Sequence, residues 1–458
     1  MKTFKVFFNL LLLLLIMTVI TACSNTNNNE LENNTEEESE SRNHNEDGFD
    51  WEQFSGQTIT LLANKHPWTE QIEPYIEEFE DLTGIEVIVQ QYPEDQIRQK
   101  ALVSLQGQSG DFDVFMSLKS REGLKYYNSG FYETLDEYVE DENLTSPDFD
   151  IDDFYEGPLE GEKFEDDLVG LPINVEGPVL YYNKKIFEQY DVDVPETMDD
   201  IKTAAKAVQE GSNGEIDGVT LRGEAGALPF TFGNFIYNNG KEWLDDGKSN
   251  FQDPDRIEAI QLYADLANKY GPKGVVQFSF YQSSALFAQG KVGMEIESSN
   301  ELSTIIDEKN SNVVDDVGVI PFPTGLEEDS KLTQLQWGIS MNKFSENKDP
   351  AWLFMQWATS KDMQKELAMN GIGSPRDSTW ESEEYQQSLD SEVEQEWADA
   401  LQFTLDHGNP EIGPPAEDQD KVRKIVGEMV DKVILGEMSA EQAAEEADKK
   451  MSEVLEQE

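Results

Sequence analysis

Cysteine is almost absent: Cys23 is the only one in 458 residues. No disulfide can form within the chain, no cysteine cluster can hold a metal, and no second thiol is available as a nucleophile. Histidine is nearly as scarce. His44, His66 and His407 lie far apart and form no H-E-x-x-H pair. Lys and Arg number 34 against 94 Asp and Glu, a formal net charge of −60. A phosphate backbone would be repelled by such a chain, which excludes simple nucleic-acid binding. There is no Walker loop and no dinucleotide fingerprint, and Gly107-Gln108-Ser109-Gly110 is not a nucleophile elbow. No calcium loop of the D-x-[DN]-x-[DN]-G type ends in a Glu, so the acids read as a solvated surface suited to high salt, where counterions screen self-repulsion. Carboxylate pairs arise by chance among so many acids and point only weakly to glycosidase chemistry. The expectation is a protein with no catalytic residues, no cofactor and no metal.

What is present starts at the N-terminus. Lys2 and Lys5 precede an apolar run over residues 7–20, shorter than the roughly 20 residues of a membrane span. Ile20-Thr21-Ala22-Cys23 then looks like a lipobox, where small residues admit the peptidase and the thiol takes the lipid. The alternative is an ordinary signal peptide with a chance cysteine. Residues 1–22 are thus expected to be cleaved, and residues 23–50, rich in Asn, Glu and Ser, to form a lipidated disordered tether. The mature protein is expected outside the cytoplasm, anchored to the outer face of the cell membrane.

From residue 58 the patterning is globular. Strands at 58–62, 85–89 and 114–117 alternate with helices at 69–82 and 97–105, an α/β unit with a parallel sheet. Ligands sit beyond the carboxyl ends of such strands. His66 and Trp68 follow the first strand, and Lys119 and Arg121 follow the third. Further strands are expected at 179–182, 292–296 and 317–320, and helices dominate 350–370 and 418–455.

Several fragments then form an ordered set: Glu78-Phe79-Glu80-x-x-Thr83-Gly84-Ile85, Asp113-Val114-Phe115, Leu171-Pro172-Ile173-Asn174 running on to Tyr181-Tyr182-Asn183-Lys184, Val319-Ile320-Pro321-Phe322-Pro323, and Gly436-x-Met438-Ser439-Ala440-Glu441. Together they resemble the family 1 extracellular solute-binding proteins, the sugar-binding components of bacterial ABC importers, maltose-binding-protein-like. Gln189 departs slightly from the family signature. The resemblance covers the chain from Thr58 onward. It implies a type II periplasmic-binding-protein-like fold of two discontinuous α/β lobes joined by a hinge: 51–174 plus 298–342, and 175–297 plus 343–458. The chain would cross between lobes near 174–176, 297 and 342–344. Solute would bind in the cleft, and the monomer would deliver it to permease subunits in the membrane.

The resemblance also implies ligand contacts at Glu176, Arg222, Phe230, Trp243, Glu297, Asn300, Trp337 and Arg376. Tyr181 and Tyr182 are expected in the core or hinge, one of them reaching the cleft. Sugars want aromatic platforms and polar partners, which adds His66, Trp68, Lys119 and Arg121. The leading expectation is capture of a sugar, oligosaccharide or polyol for import. The alternatives are a surface-anchored glycoside hydrolase and a same-fold ferric-ion binder prompted by the adjacent tyrosines.

Overall fold

The computed structural model describes residues 48–324 and 331–457. The leader, Cys23, His44 and nearly all of the tether lie outside the described residues. The main strands are β1 (Thr58–Asn64), β2 (Glu86–Tyr92), β3 (Val114–Ser117), β4 (Leu171–Pro172), β5 (Pro178–Asn183), β6 (Asp217–Thr220), β7 (Val292–Ser298), β8 (Val317–Pro321) and β9 (Gly338–Met341). One sheet has the order β2-β1-β3-β9-β4, with β1 parallel to β2 and β3, and β9 antiparallel to β3 and β4. The other has the order β8-β5-β7-β6, with β5 antiparallel to β8 and β7, and β6 parallel to β7. Each sheet is the centre of a lobe. Among the described residues no helix is long and apolar enough to cross a membrane.

The single helix expected at 69–82 is helical in pieces: Pro67–Ile72, a 3₁₀ turn at Glu73–Tyr75, and Ile76–Thr83. Pro74 has no N–H to donate, so the hydrogen-bond ladder breaks there. Ile72, Ile76 and Phe79 are buried as the apolar stripe requires, whereas Leu82 is exposed. Gly84, at φ +69°, ends the run in the left-handed conformation.

The lobe boundaries differ from those expected. Strand β8 was assigned to the first lobe but pairs with β5, and its Val317 and Val319 pack with Val179 and Tyr181 in the second. Helix Lys348–Ala358 was assigned to the second lobe but fills the first. The Trp352 ring there meets Tyr138 and Phe149, and its Nε1 donates to Thr145 Oγ1 at 2.9 Å. The chain therefore passes between lobes at 173–177, between Pro321 and Gly338, and at about 373–376. Glu297 is instead a β7 residue inside the second lobe. Asn342 is fixed inside the first, donating to the carbonyls of Ser109 and Phe112 at 2.9 and 2.8 Å.

The three crossings lie side by side. The Val175 N–H donates to Gly373 O at 2.8 Å, and Glu176 and Leu335 exchange N–H···O bonds of 2.7 and 2.9 Å. A Cβ on Gly373 would sit 2.3 Å from Val175 O, so only glycine allows this approach. Arg376, expected in the cleft, locks the third crossing to the first lobe. Its fully buried guanidinium donates to Thr359 O (2.5 Å), Asp150 O (2.8 Å) and Phe149 O (3.0 Å), pairs with Asp153 at 3.1 Å, and lies 3.8 Å from the Phe154 ring centroid. Four of its five N–H groups are thus spent within the protein, and full burial keeps the side chain from the cleft. Replacing it strands buried carbonyls and the Asp153 carboxylate. We expect Arg376→Ala to lower unfolding free energy by about 3–5 kcal/mol in urea titrations, with solute affinity of the folded fraction unchanged.

Candidate functional site

β1 ends at Asn64 and turns into His66, which caps the helix Pro67–Ile72. The Trp68 N–H donates to His66 Nδ1 at 3.1 Å, which leaves Nε2 as the proton-bearing nitrogen, 3.4 Å from Glu176 Oε1. Glu176 stands in the first crossing. Asn174 Nδ2 donates to its Oε1 at 3.0 Å, and Ser298 Oγ donates to its Oε2 at 2.9 Å. The Ser298 N–H in turn donates to Glu297 Oε1 at 2.8 Å. Glu297 receives Arg222 Nε at 2.8 and 2.9 Å on its two oxygens, and Arg222 Nη2 as well. The Arg222 guanidinium lies over Phe230 at 4.5 Å and beside Phe280 at 5.7 Å. Trp337, in the second crossing, tilts against His66 at 5.8 Å and carries the Arg98 guanidinium at 5.3 Å. One continuous polar chain thus runs from the first lobe, through the hinge, into the second.

Burial works against the charged form of Arg222, but Glu297 outweighs it and holds the guanidinium's pKa above its ordinary value. Glu301 is pushed up to about 7 by burial and by the Glu297 carboxylate. Glu295 is also raised, by burial first and then by the Glu297 carboxylate. The second-lobe end of the chain thus holds the Arg222–Glu297 ion pair, with two carboxyls beside it whose charged forms are disfavoured.

A cavity of about 340 Å³ opens between the lobes, within the size range of small-ligand sites. None of the polar-chain residues lines it, and its wall residue Gln336 is the neighbour in sequence of Trp337. The first lobe contributes Lys119, Ser120 and Phe164, the second crossing Gln334 and Gln336, and the second lobe Gly413 and Gln419. Three of these present buried polar atoms with no partner in the protein: Ser120 Oγ, Gln334 Oε1 and Gln419 Oε1. A buried polar group left unpaired costs about 1–3 kcal/mol, so such a set marks a place for hydroxyls or water. Across the cavity mouth Arg121 pairs with Asp420 at 3.1 Å, one lobe to the other.

The expected residues fall into three groups. His66, Glu176, Arg222, Phe230, Glu297 and Trp337 are brought together in the polar chain and its aromatic flanks. Lys119 lines the cavity and Arg121 does not, and both are engaged: Lys119 pairs with buried Glu162 at 2.6 Å and donates to Ser340 Oγ at 2.9 Å, and Arg121 also pairs with Glu94. Asn300 is half-buried, with its N–H on Ser298 Oγ at 3.2 Å. The rest are corrections. Trp68 is fully buried in the first-lobe core, where helix Pro67–Ile72 turns its ring inward. Trp243 is fully buried in the second-lobe core, with Nε1 on Glu411 O. Tyr181 supports the hinge from within, its hydroxyl donating to the carbonyls of Ser298 and Ser299.

Sequence reasoning missed Arg98, Gln334, Gln336, Gln419 and Arg423. The last two had a readable signal: they stand four apart on the buried stripe of helix Gln419–Ile434, with Val426 and Val430, where polar side chains are unusual.

A family model described as bacterial extracellular solute-binding protein matches residues 65–365. Among curated proteins, the erythritol/L-threitol-binding protein of Mycolicibacterium smegmatis is 27% identical over 71% of this chain and 71% of its own length. The mannitol-binding protein of Pseudomonas aeruginosa is 26% identical over 60% of this chain and 62% of its own length. Among solved structures, an ABC transporter solute-binding protein from Agrobacterium radiobacter K84 in complex with ribitol aligns with a TM-score of 0.75 at 24% identity, covering 88% of this chain and 99% of that one. These neighbours share the type II two-lobed architecture. With the family model matching well over half of its length, this chain belongs to the bacterial extracellular solute-binding proteins.

Proposed function

We propose that this protein captures a sugar, oligosaccharide or polyol between its lobes and delivers it to the permease of an ABC importer, held at the membrane by a lipid on Cys23. The observation that carries this reading is the interlobe cavity, walled by both lobes and by the second crossing, whose Ser120, Gln334 and Gln419 atoms lack partners. Solute hydroxyls would satisfy those atoms, and only the closed arrangement brings both walls to them. Differential affinity of that kind is what shifts a hinge equilibrium. The names of the polyol-binding relatives support the substrate class. Phe164, in the cavity wall, supplies a flat face for the C–H side of a carbon skeleton. Phe230, expected as a ligand contact, is instead fully buried beneath Arg222 and serves packing. The acidic surface suits work in high salt. No chemical step is assigned to the site.

Calorimetry against a panel including erythritol, mannitol, ribitol and maltose is expected to find a binder; tight binding of only a peptide, polyamine or metal would refute the substrate class. Glu176→Gln leaves one acceptor oxygen for three buried donors and should weaken that binding by about tenfold or more, while also lowering unfolding free energy by about 1–3 kcal/mol in urea titrations. Incubation with oligosaccharides should leave them intact, and products above background would replace the binding reading with a hydrolytic one. Cys23→Ala should move the protein from membrane to medium on cell fractionation while its solute affinity stays the same.

A further inference from the structure

Five of the six arginines among the described residues are ion-paired: Arg98, Arg121, Arg222, Arg256 and Arg376. Arg423 is not. It is only 6% exposed, its Nε donates to Gly226 O at 3.0 Å, and its Nη1 is buried with no partner. This guanidinium lies behind the wall of the interlobe cavity and is not itself a lining residue. Gly413, a wall residue, lies against it, so that a Cβ there would sit 3.9 Å from Nη1. Gln419, one turn earlier on the same helix, is also a wall residue and holds an unpaired Oε1. A second guanidinium nitrogen nearby is in the same state: Arg98 Nε is buried without a partner, although its other nitrogens meet Glu94 and Glu122. A buried cation with no counter-charge is costly. The carboxylate that acts on Arg423 from a distance, Glu94, is already shared by Arg98 and Arg121. In a chain with 94 acidic side chains, this guanidinium still has no ion pair of its own, which leaves the place open for a ligand.

We propose that Arg423 receives a carboxylate of the solute, and that the solute is a polyhydroxylated monoacid of the aldonate or uronate class. This rests on the reading of the cavity as a sugar-binding site. The hydroxyls meet the unpaired atoms of Gln334, Gln419 and Ser120, and the carboxylate meets Arg423 Nη1, with Arg98 Nε as a second donor. A guanidinium suits a planar carboxylate in its fork geometry. The charge count favours a monoanion: one uncompensated cation lies behind the cavity wall, and the other arginines are already matched by Glu94, Glu122, Glu297 and Asp420. The second charge of a phosphate ester would face those carboxylates unopposed. The burial of Arg423 and the repulsion of Arg121, Arg222 and Arg98 already depress its pKa to about 9, and an arriving anion relieves both.

The test is calorimetry of the intact mature protein against matched pairs, D-gluconate with sorbitol and D-glucuronate with glucose, with sorbitol 6-phosphate as a further arm. One acid should bind at least about tenfold tighter than its neutral partner. Arg423→Gln should erase that preference and leave the neutral affinity within a few-fold, while Arg423→Lys keeps part of it. Equal or tighter binding of the neutral partner overturns the proposal, as does binding of the phosphate ester alone. So does an equal loss for both partners in Arg423→Gln, which would make Arg423 a donor to hydroxyls and leave the solute-binding reading standing. Failure of every sugar, acid and polyol defeats both. If Arg423→Gln does not melt cooperatively, the acid-to-neutral ratio in the unaltered protein decides alone.

Discussion

The Glu176 carboxylate is the point on which the two lobes agree. It accepts from His66 of the first lobe, Asn174 of the crossing itself and Ser298 of the second lobe. A carboxylate has about four lone-pair sites, and here three are used by groups from three separate segments. It is also nearly buried, so water cannot substitute for any of them. The backbone on either side is fixed by its exchange of hydrogen bonds with Leu335, and by Val175 meeting Gly373. Side chain and main chain therefore pin all three crossings at one level. The mobile part of the molecule is a short ribbon with a single charged fastening.

Away from that ribbon the lobes are ordinary in their physics. Each sheet is covered by helices whose aromatic and aliphatic faces are buried, and most polar groups inside are paired. Buried side-chain atoms without a protein partner occur in both lobes, Asn64 Oδ1, Gln364 Oε1 and Tyr385 Oη among them, and one group of them lies where the lobes face one another. Unpaired atoms of Ser120, Gln334, Gln419, Arg98 and Arg423 lie around one cavity and its margin. What sets this group apart is that Ser120, Gln334 and Gln419 share one cavity wall, where a single hydroxyl-bearing ligand could reach them. The Lys119–Glu162 pair beneath the cavity is the converse. It is a buried ion pair that also donates to Ser340, so it shapes the wall and leaves little free for a ligand.

Much of the fold was legible because periodicity is a local property. The first three strands and the helix stop at Gly84 follow from apolar spacing and turn residues, whereas the passage near Asn174 was legible only through the family resemblance. Partner choice is not local. The residues of β8 alternate just as well against either sheet, and only tertiary packing sends them to β5. The same limit governs the aromatics. Trp68, Trp243 and Trp337 look alike as letters, and only Trp337 lies on the polar chain, because the first two sit on helix or loop faces turned inward. Glu176, Arg222 and Glu297 were found because motif order placed them at strand ends and crossings. Gln334 and Gln336 were not, since glutamines in an irregular segment carry no pattern at all.

The interleaving of the lobes has a consequence for the order in which the protein can fold. The core of the first lobe needs Trp352, Phe354 and Leu367, and that of the second needs Val426, Ala444 and Met451. Neither core can close on a growing chain until most of it has been synthesised, although domains commonly condense as they emerge. The chain thus stays open for most of its synthesis. An open chain is what a secretion channel can thread, and both lobes then finish within the last quarter of the sequence. The same interlacing that makes a hinge also delays premature folding.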